Sequence, residues 1–141
     1  MKLLAKMLAL VATKFQDKLD RQSKPYFLHC LHVMQTCGLK DENSLCIAIG
    51  HDILEDCPEI TYEFLKNEFN PIIALGIDRL TKRSDDYDRY IKEVAMFPEI
   101  VPIKLADLRH NMDASRLKGL TKKDIDRMEK YMRAYTYLSK I

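Results

Sequence analysis

Segments of helical length follow one another along this chain, separated by little more than capping residues and prolines. That punctuation constrains the fold more than any other feature. Apolar spacing predicts a first helix over Lys2–Lys18, then a polar connector, Asp20 to Pro25. A second helix runs from Tyr26 to Gly38, with Gly38 as its stop. Asp41-Glu42-Asn43-Ser44 caps a third, Leu45 to Cys57, closed by Pro58. Thr61 opens a short helix to Phe69, and Asn70-Pro71 opens one to Lys82. Helices over Tyr87–Phe97 and Ile100–Met112 follow, and Thr121 with Asp124 starts the last, to Leu138, in capping-box style. Glycine occurs only 4 times and proline 5 times, too few for a β-sandwich's turns, and no Gly-rich loop of a Rossmann unit is present. The expectation is one compact, all-α, multi-helix domain over residues 1–141.

Charge narrows the partners. With 23 basic and 21 acidic residues the chain carries a net +2, which argues against a strongly basic nucleic-acid binder and against steering to a membrane. Leu3 to Ala12 is apolar except for Lys6, which breaks any signal-like run and makes a buried first helix the better reading. No segment reaches the roughly 18 apolar residues that span a bilayer. Cys30, Cys37, Cys46 and Cys57 form no CxxC pair and sit among apolar neighbours, as reduced core cysteines of a cytoplasmic protein do.

Four polar points interrupt faces that should be buried: His29, the pair His51-Asp52, the pair Glu55-Asp56, and Asp107 within Ile103-Lys104-Leu105-Ala106-Asp107-Leu108. Burying an unpaired imidazole or carboxylate costs several kcal/mol, so each needs a partner. Any one of them alone is more often a satisfied core residue or an ordinary ion pair. Together they can be satisfied by one divalent ion held by His29, His51, Asp52 and Asp107. Two imidazoles and two carboxylates suit manganese, iron or zinc. On a continuous third helix, His51 would stack over Glu55 and Asp52 over Asp56, one turn apart. Glu55 and Asp56 would then orient or deprotonate a metal-activated water.

At these residues the chain resembles the HD-domain metal-dependent phosphohydrolases, and more closely the hydrolase domain of RelA/SpoT-type proteins and small alarmone hydrolases. The matching segments are Lys24-Pro25-Tyr26-Phe27-Leu28-His29, Gly50-His51-Asp52-Ile53-Leu54-Glu55-Asp56, Leu80-Thr81-Lys82 and Ile103 to Met112. The resemblance implies a multi-helix HD bundle, a Mn2+ ion on His29, His51, Asp52 and Asp107, and catalysis by Glu55 and Asp56. It also implies removal of the 3′-pyrophosphate from (p)ppGpp, giving GDP or GTP, with Asn111 contacting the nucleotide. Arg21, Lys82 and Lys104, with Arg83 and Arg109, are the candidates for meeting phosphate charge. The alternatives are an HD hydrolase for an adenosine alarmone or a nucleoside phosphate, and a catalytically silent nucleotide-binding module. A synthetase segment is not expected.

The chain departs from the family at Phe15, Cys30 and Cys57, and at Asp20-Arg21, where a guanine-stacking Arg is usual. Asp20 is expected either at the rim of the base pocket or paired with a nearby cation in solvent. Lys122, Lys123, Arg127, Lys130 and Arg133 read as the solvated face of the last helix. Tyr131, Tyr135 and Tyr137 read as packing residues, one of which could border the nucleotide.

Overall fold

A computed structural model describes all residues, 1–141. Nine α-helices are connected by short turns, and no strand forms beyond an isolated bridge between Leu19 and Pro25 that pinches the first connector. The helices are α1 (Lys2–Lys14), α2 (Phe27–Thr36), α3 (Glu42–Ile49), α4 (Ile53–Asp56), α5 (Tyr62–Glu68), α6 (Pro71–Leu80), α7 (Tyr87–Ala95), α8 (Val101–Asn111) and α9 (Lys122–Leu138). A single 3-10 turn, Ala114–Arg116, joins the last two.

The caps fall where the side-chain chemistry predicts. Asp41, Thr61, Asn70 and Asp86 each accept the backbone N–H three residues on. Thr121 and Asp124 form the complete reciprocal box at the start of α9. Gly38 takes φ +81°, a conformation that disfavours a side chain, and stops α2.

Helix α3 is the hub and packs against α1, α2 and α6; α2 also lies on α8, which in turn carries α9. The buried apolar residues form one cluster, with Met7, Val11, Ile49, Ile53, Ile73, Ile77, Ile103 and Leu108 at its centre. Each such side chain is worth roughly 1.5–3 kcal/mol of burial.

The predicted third helix is not continuous. It stops at Ile49, turns through Gly50-His51-Asp52, and restarts at Ile53. The N–H of Ile53 bonds the carbonyl of Gly50 at 3.0 Å, a tighter turn than the α-helical one. Packing holds Gly50 in place: a Cβ there would lie 3.1 Å from each of Cys46 O, Ile77 Cδ1 and Met7 Sδ. The first helix is also shorter than predicted, ending at Lys14, because Phe15 turns inward to the core and the bridged connector begins.

Candidate metal centre

The break after Ile49 has a consequence for the side chains. On a regular helix, neighbouring residues point about 100° apart. Here the turn lets His51 and Asp52 reach the same point, facing His29 from α2 and Asp107 from α8. His29, His51 and Asp107 are 1%, 3% and 5% exposed. Their nearest donor atoms all lie within 4.8 Å of one another. His29 Nε2 is 2.9 Å from Asp107 Oδ1, and His51 Nε2 is 3.3 Å from the same oxygen and 3.1 Å from Asp52 Oδ2. Asp52 thus stands beside the trio, held by the donated hydroxyl of Tyr26. Phe15 backs the Tyr26 ring edge-on at 5.4 Å.

The surroundings of His51 test whether these residues fit a cation. Its Nδ1 lies 2.8 Å from the carbonyl of Ala48, which can only accept, so Nδ1 bears the proton. Its Nε2 is buried and makes no hydrogen bond, although two carboxylate oxygens lie close by. A lone pair facing two anions is repulsive unless a cation sits there. Without a metal, that cation is a proton: burial opposes it, but Asp52 and Asp107 hold the His51 pKa well above its ordinary value. Burial also opposes charge on Asp52, yet His51 and the Tyr26 hydroxyl bring its pKa down to about 2. Asp107, against the same penalty, is held well below the carboxylate range by Lys104 and His51. The donor set therefore fits a divalent ion.

Around this point lies a cavity of about 230 Å³, lined by Asp52, Glu55, Lys82, Lys104, Asn111 and Lys130, among others. Glu55 faces it, accepting the backbone N–H of Lys82 at 2.8 Å. Burial raises the Glu55 carboxyl above the usual range despite that bond. Asp56, its neighbour, turns elsewhere: its Oδ2 pairs with Lys18 Nζ at 2.6 Å, and it does not line the cavity. The stacking of His51 over Glu55 and Asp52 over Asp56, expected of one helix, is replaced by this divergence. Lys104 is committed to Asp107 Oδ2 at 2.9 Å. Asn111 donates to Asp107 Oδ1 at 3.0 Å.

A second cavity of about 380 Å³ adjoins the first and shares Tyr26, Asn111 and Tyr131 with it. Arg21 lines it but is bonded to Asp124. Asp20 lines it too, yet its carboxylate accepts the backbone N–H groups of Gln22 and Lys24 and pairs with Arg116 at 3.3 Å. It pairs neither with Arg21 nor out in solvent. Arg83 binds Asp78, and Arg109 reaches the Thr36 carbonyl, so neither joins the two cavities.

The last helix corrects the sequence reading. Arg127 lines the second cavity, Lys130 the first, and Tyr131 both. Burial, then the nearby cations Lys82, Arg127 and Lys104, lower the Lys130 pKa. The signal was present in the sequence as an i, i+3, i+4 set on one helix face, Arg127, Lys130 and Tyr131.

The chain is an all-helical bundle that gathers two buried imidazoles and two carboxylates beside a lysine-lined cavity. A solved structure has a similar fold: that of a metazoan ortholog of SpoT, described as hydrolysing ppGpp and playing a role in starvation responses. It matches with a TM-score of 0.82 at 21% identity, over 96% of this chain and 84% of that one, and the two share a fold. In sequence the chain is similar to a GTP pyrophosphokinase of Streptomyces coelicolor, 29% identical over 120 residues. That match takes in 75% of this chain but only 14% of the length of the relative. No family model matches the chain.

Proposed function

We propose that this chain is a metal-dependent phosphohydrolase that removes the 3′-pyrophosphate of guanosine alarmones. The observation that carries the reading is the bare, buried Nε2 of His51, aimed at Asp52 and Asp107 beside the Nε2 of His29. The neighbours' activities, hydrolysis of ppGpp for the solved structure and guanosine-nucleotide pyrophosphoryl chemistry for the curated relative, support the substrate class.

His29, His51, Asp52 and Asp107 would hold the ion; their mixed nitrogen and oxygen donors suit manganese, iron or zinc, and the resemblance to the HD-domain hydrolases points to Mn2+ among these. A divalent ion bound there supplies Lewis-acid polarisation of a phosphoryl oxygen and a lowered pKa for bound water. Glu55, which lines the cavity, would take the water's proton at a carboxylate oxygen, and the burial that raises its pKa makes it the stronger base. Lys82 and Lys130 meet the phosphate charge, while Lys104 holds Asp107 in place. Asp56 faces neither cavity and would act only indirectly, by holding Lys18 on the rim of the second. Asn111, on the wall common to both cavities, contacts the nucleotide, and Arg21 borders it. Four free, buried cysteines support a reducing compartment, the cytoplasm.

The test is Mn2+-loaded protein against ppGpp, pppGpp, adenosine 3′-pyrophosphates and ordinary nucleoside triphosphates, with products identified by mass. Pyrophosphate plus GDP from ppGpp is expected. Tight binding of ppGpp without turnover would replace the enzyme with a binding module.

A further inference from the structure

Both histidines of the centre must present Nε2 to the same point. His51 is fixed by the Ala48 carbonyl, as described above. The device for His29 is different, because no carbonyl takes its Nδ1. Instead His29 Nδ1 lies 2.7 Å from His110 Nδ1. The two rings are within 12° of parallel, yet their centroids are 5.0 Å apart. A face-to-face pair in the same cluster, His32 and His110, has centroids 3.9 Å apart. His29 and His110 therefore meet edge to edge, nitrogen to nitrogen.

Two ring nitrogens at that distance share one proton: one donates and the other must accept. If His29 Nε2 is to offer its lone pair to a cation, the ring's proton sits on Nδ1. His110 is then the acceptor, neutral, with its own proton on Nε2. We propose that His110 is the positioning residue that fixes the tautomer and direction of the His29 ring, so that Nε2 of His29 faces the metal point. This rests on the metal-site reading above.

His110 is itself held on two sides. His32 covers its ring, and the Arg116 guanidinium donates to its backbone carbonyl at 2.8 Å while pairing with Asp20. The support runs from the connector before α2, through Asp20 and Arg116, to the end of α8 and back to His29. Groups that orient a metal-bound histidine typically matter 10–100-fold for affinity.

The experiment uses the full chain and three proteins: wild type, His110→Asn and His110→Phe. Asn places an oxygen close to where His110 carries Nδ1, so it keeps the acceptor. Phe keeps the ring and its packing on His32 but removes the acceptor. Mn2+ affinity is measured by calorimetry. Nitrogen-15 spectra of Zn2+-loaded protein report which His29 nitrogen is protonated and whether a scalar coupling joins His29 Nδ1 to His110 Nδ1. The expected results are a His29 Nδ1–H coupled to His110 in wild type, and roughly 10-fold or greater loss of Mn2+ affinity in His110→Phe. His110→Asn should stay within about threefold of wild type, with His29 Nδ1 still protonated. Wild-type affinity in His110→Phe, or His29 carrying its proton on Nε2 in the loaded wild type, overturns the role of His110 and leaves the metal site standing. A wild type that takes up neither ion overturns the metal reading itself, and the proposal with it.

Discussion

Glu55 and Asp56 are adjacent in sequence and face different partners. Glu55 Oε1 accepts the Lys82 amide inside the lysine-lined cavity, whereas Asp56 Oδ2 pairs with Lys18 outside it. The acidic pair that looks uniform in the sequence is thus two groups with separable duties. Glu55→Gln keeps an acceptor for Lys82 and nearly the same volume. It is expected to retain fold and metal but lose on the order of 10²-fold or more in kcat. Asp56→Asn, which weakens a partly exposed pair, should cost at most about 1 kcal/mol of stability. Its kcat should fall less than that of Glu55→Gln. Steady-state kinetics with thermal melts of both variants measure this, and equal losses in the two would sink the division of labour.

The ligand assignment predicts what single deletions do to the ion. His51→Ala and Asp52→Ala each remove a donor from one shared turn, and both should abolish stoichiometric metal binding along with activity. Elemental analysis of the purified variants gives the answer. Full metal content in both would discard the donor set.

Lys130 lines the same cavity as Glu55, from a helix whose charged face reads as solvated in the sequence. Lys130→Ala is expected to raise KM for a guanosine 3′-pyrophosphate about tenfold, roughly 1.4 kcal/mol. The effect should shrink at high salt, since part of it is charge attraction. Lys123→Ala, an exposed neighbour on the same helix, is the control. A KM unchanged in Lys130→Ala would return that face to solvent.

Asp20 predicts a pH dependence of stability. Burial raises its carboxyl, but the backbone N–H groups of Lys24 and Gln22 and the Arg116 side chain outweigh that and lower it. A carboxyl with a depressed folded-state pKa stabilises the fold above its unfolded value, 3.8 here. The contribution is lost as pH falls from there through the folded value. Asp20→Asn should therefore destabilise the protein at neutral pH by about 1–3 kcal/mol, and by progressively less below pH ~4. Because the carboxylate is already taken, the ratio of guanosine to adenosine substrate efficiency should stay within about twofold. Urea titrations across pH and paired kinetics check the two halves.

Much of this molecule is visible before folding is considered. Thr61, Asn70-Pro71 and Thr121 with Asp124 mark three helix starts because their side chains bond backbone N–H groups only a few residues away. His29, His51 and Asp107 stand out because they interrupt apolar faces, and all three are buried. The break at Gly50 is hidden because the apolar spacing continues through it, and the close approach of Met7 and Ile77 to Gly50 involves residues distant in sequence. Lys130 shares a helix face with Arg127 and Tyr131 in the sequence, but a charged face looks the same whether water or a cavity lies opposite. His110 sits inside a recognisable motif, but its duty depends on a nitrogen 81 positions away.

The broken third helix bears on more than geometry. The donors come from α2, from the turn between α3 and α4, and from α8, so an ion held among them would rivet three separate stretches of the chain that no disulfide cross-links. Occupancy would then be written into the global stability of the chain: an ion at about 100 times its dissociation constant adds roughly 2.7 kcal/mol. A chelator should loosen the whole bundle rather than one pocket, with amide exchange quickening in α2 and α8 together. The melting temperature of this protein would then serve as a gauge of how full its centre is.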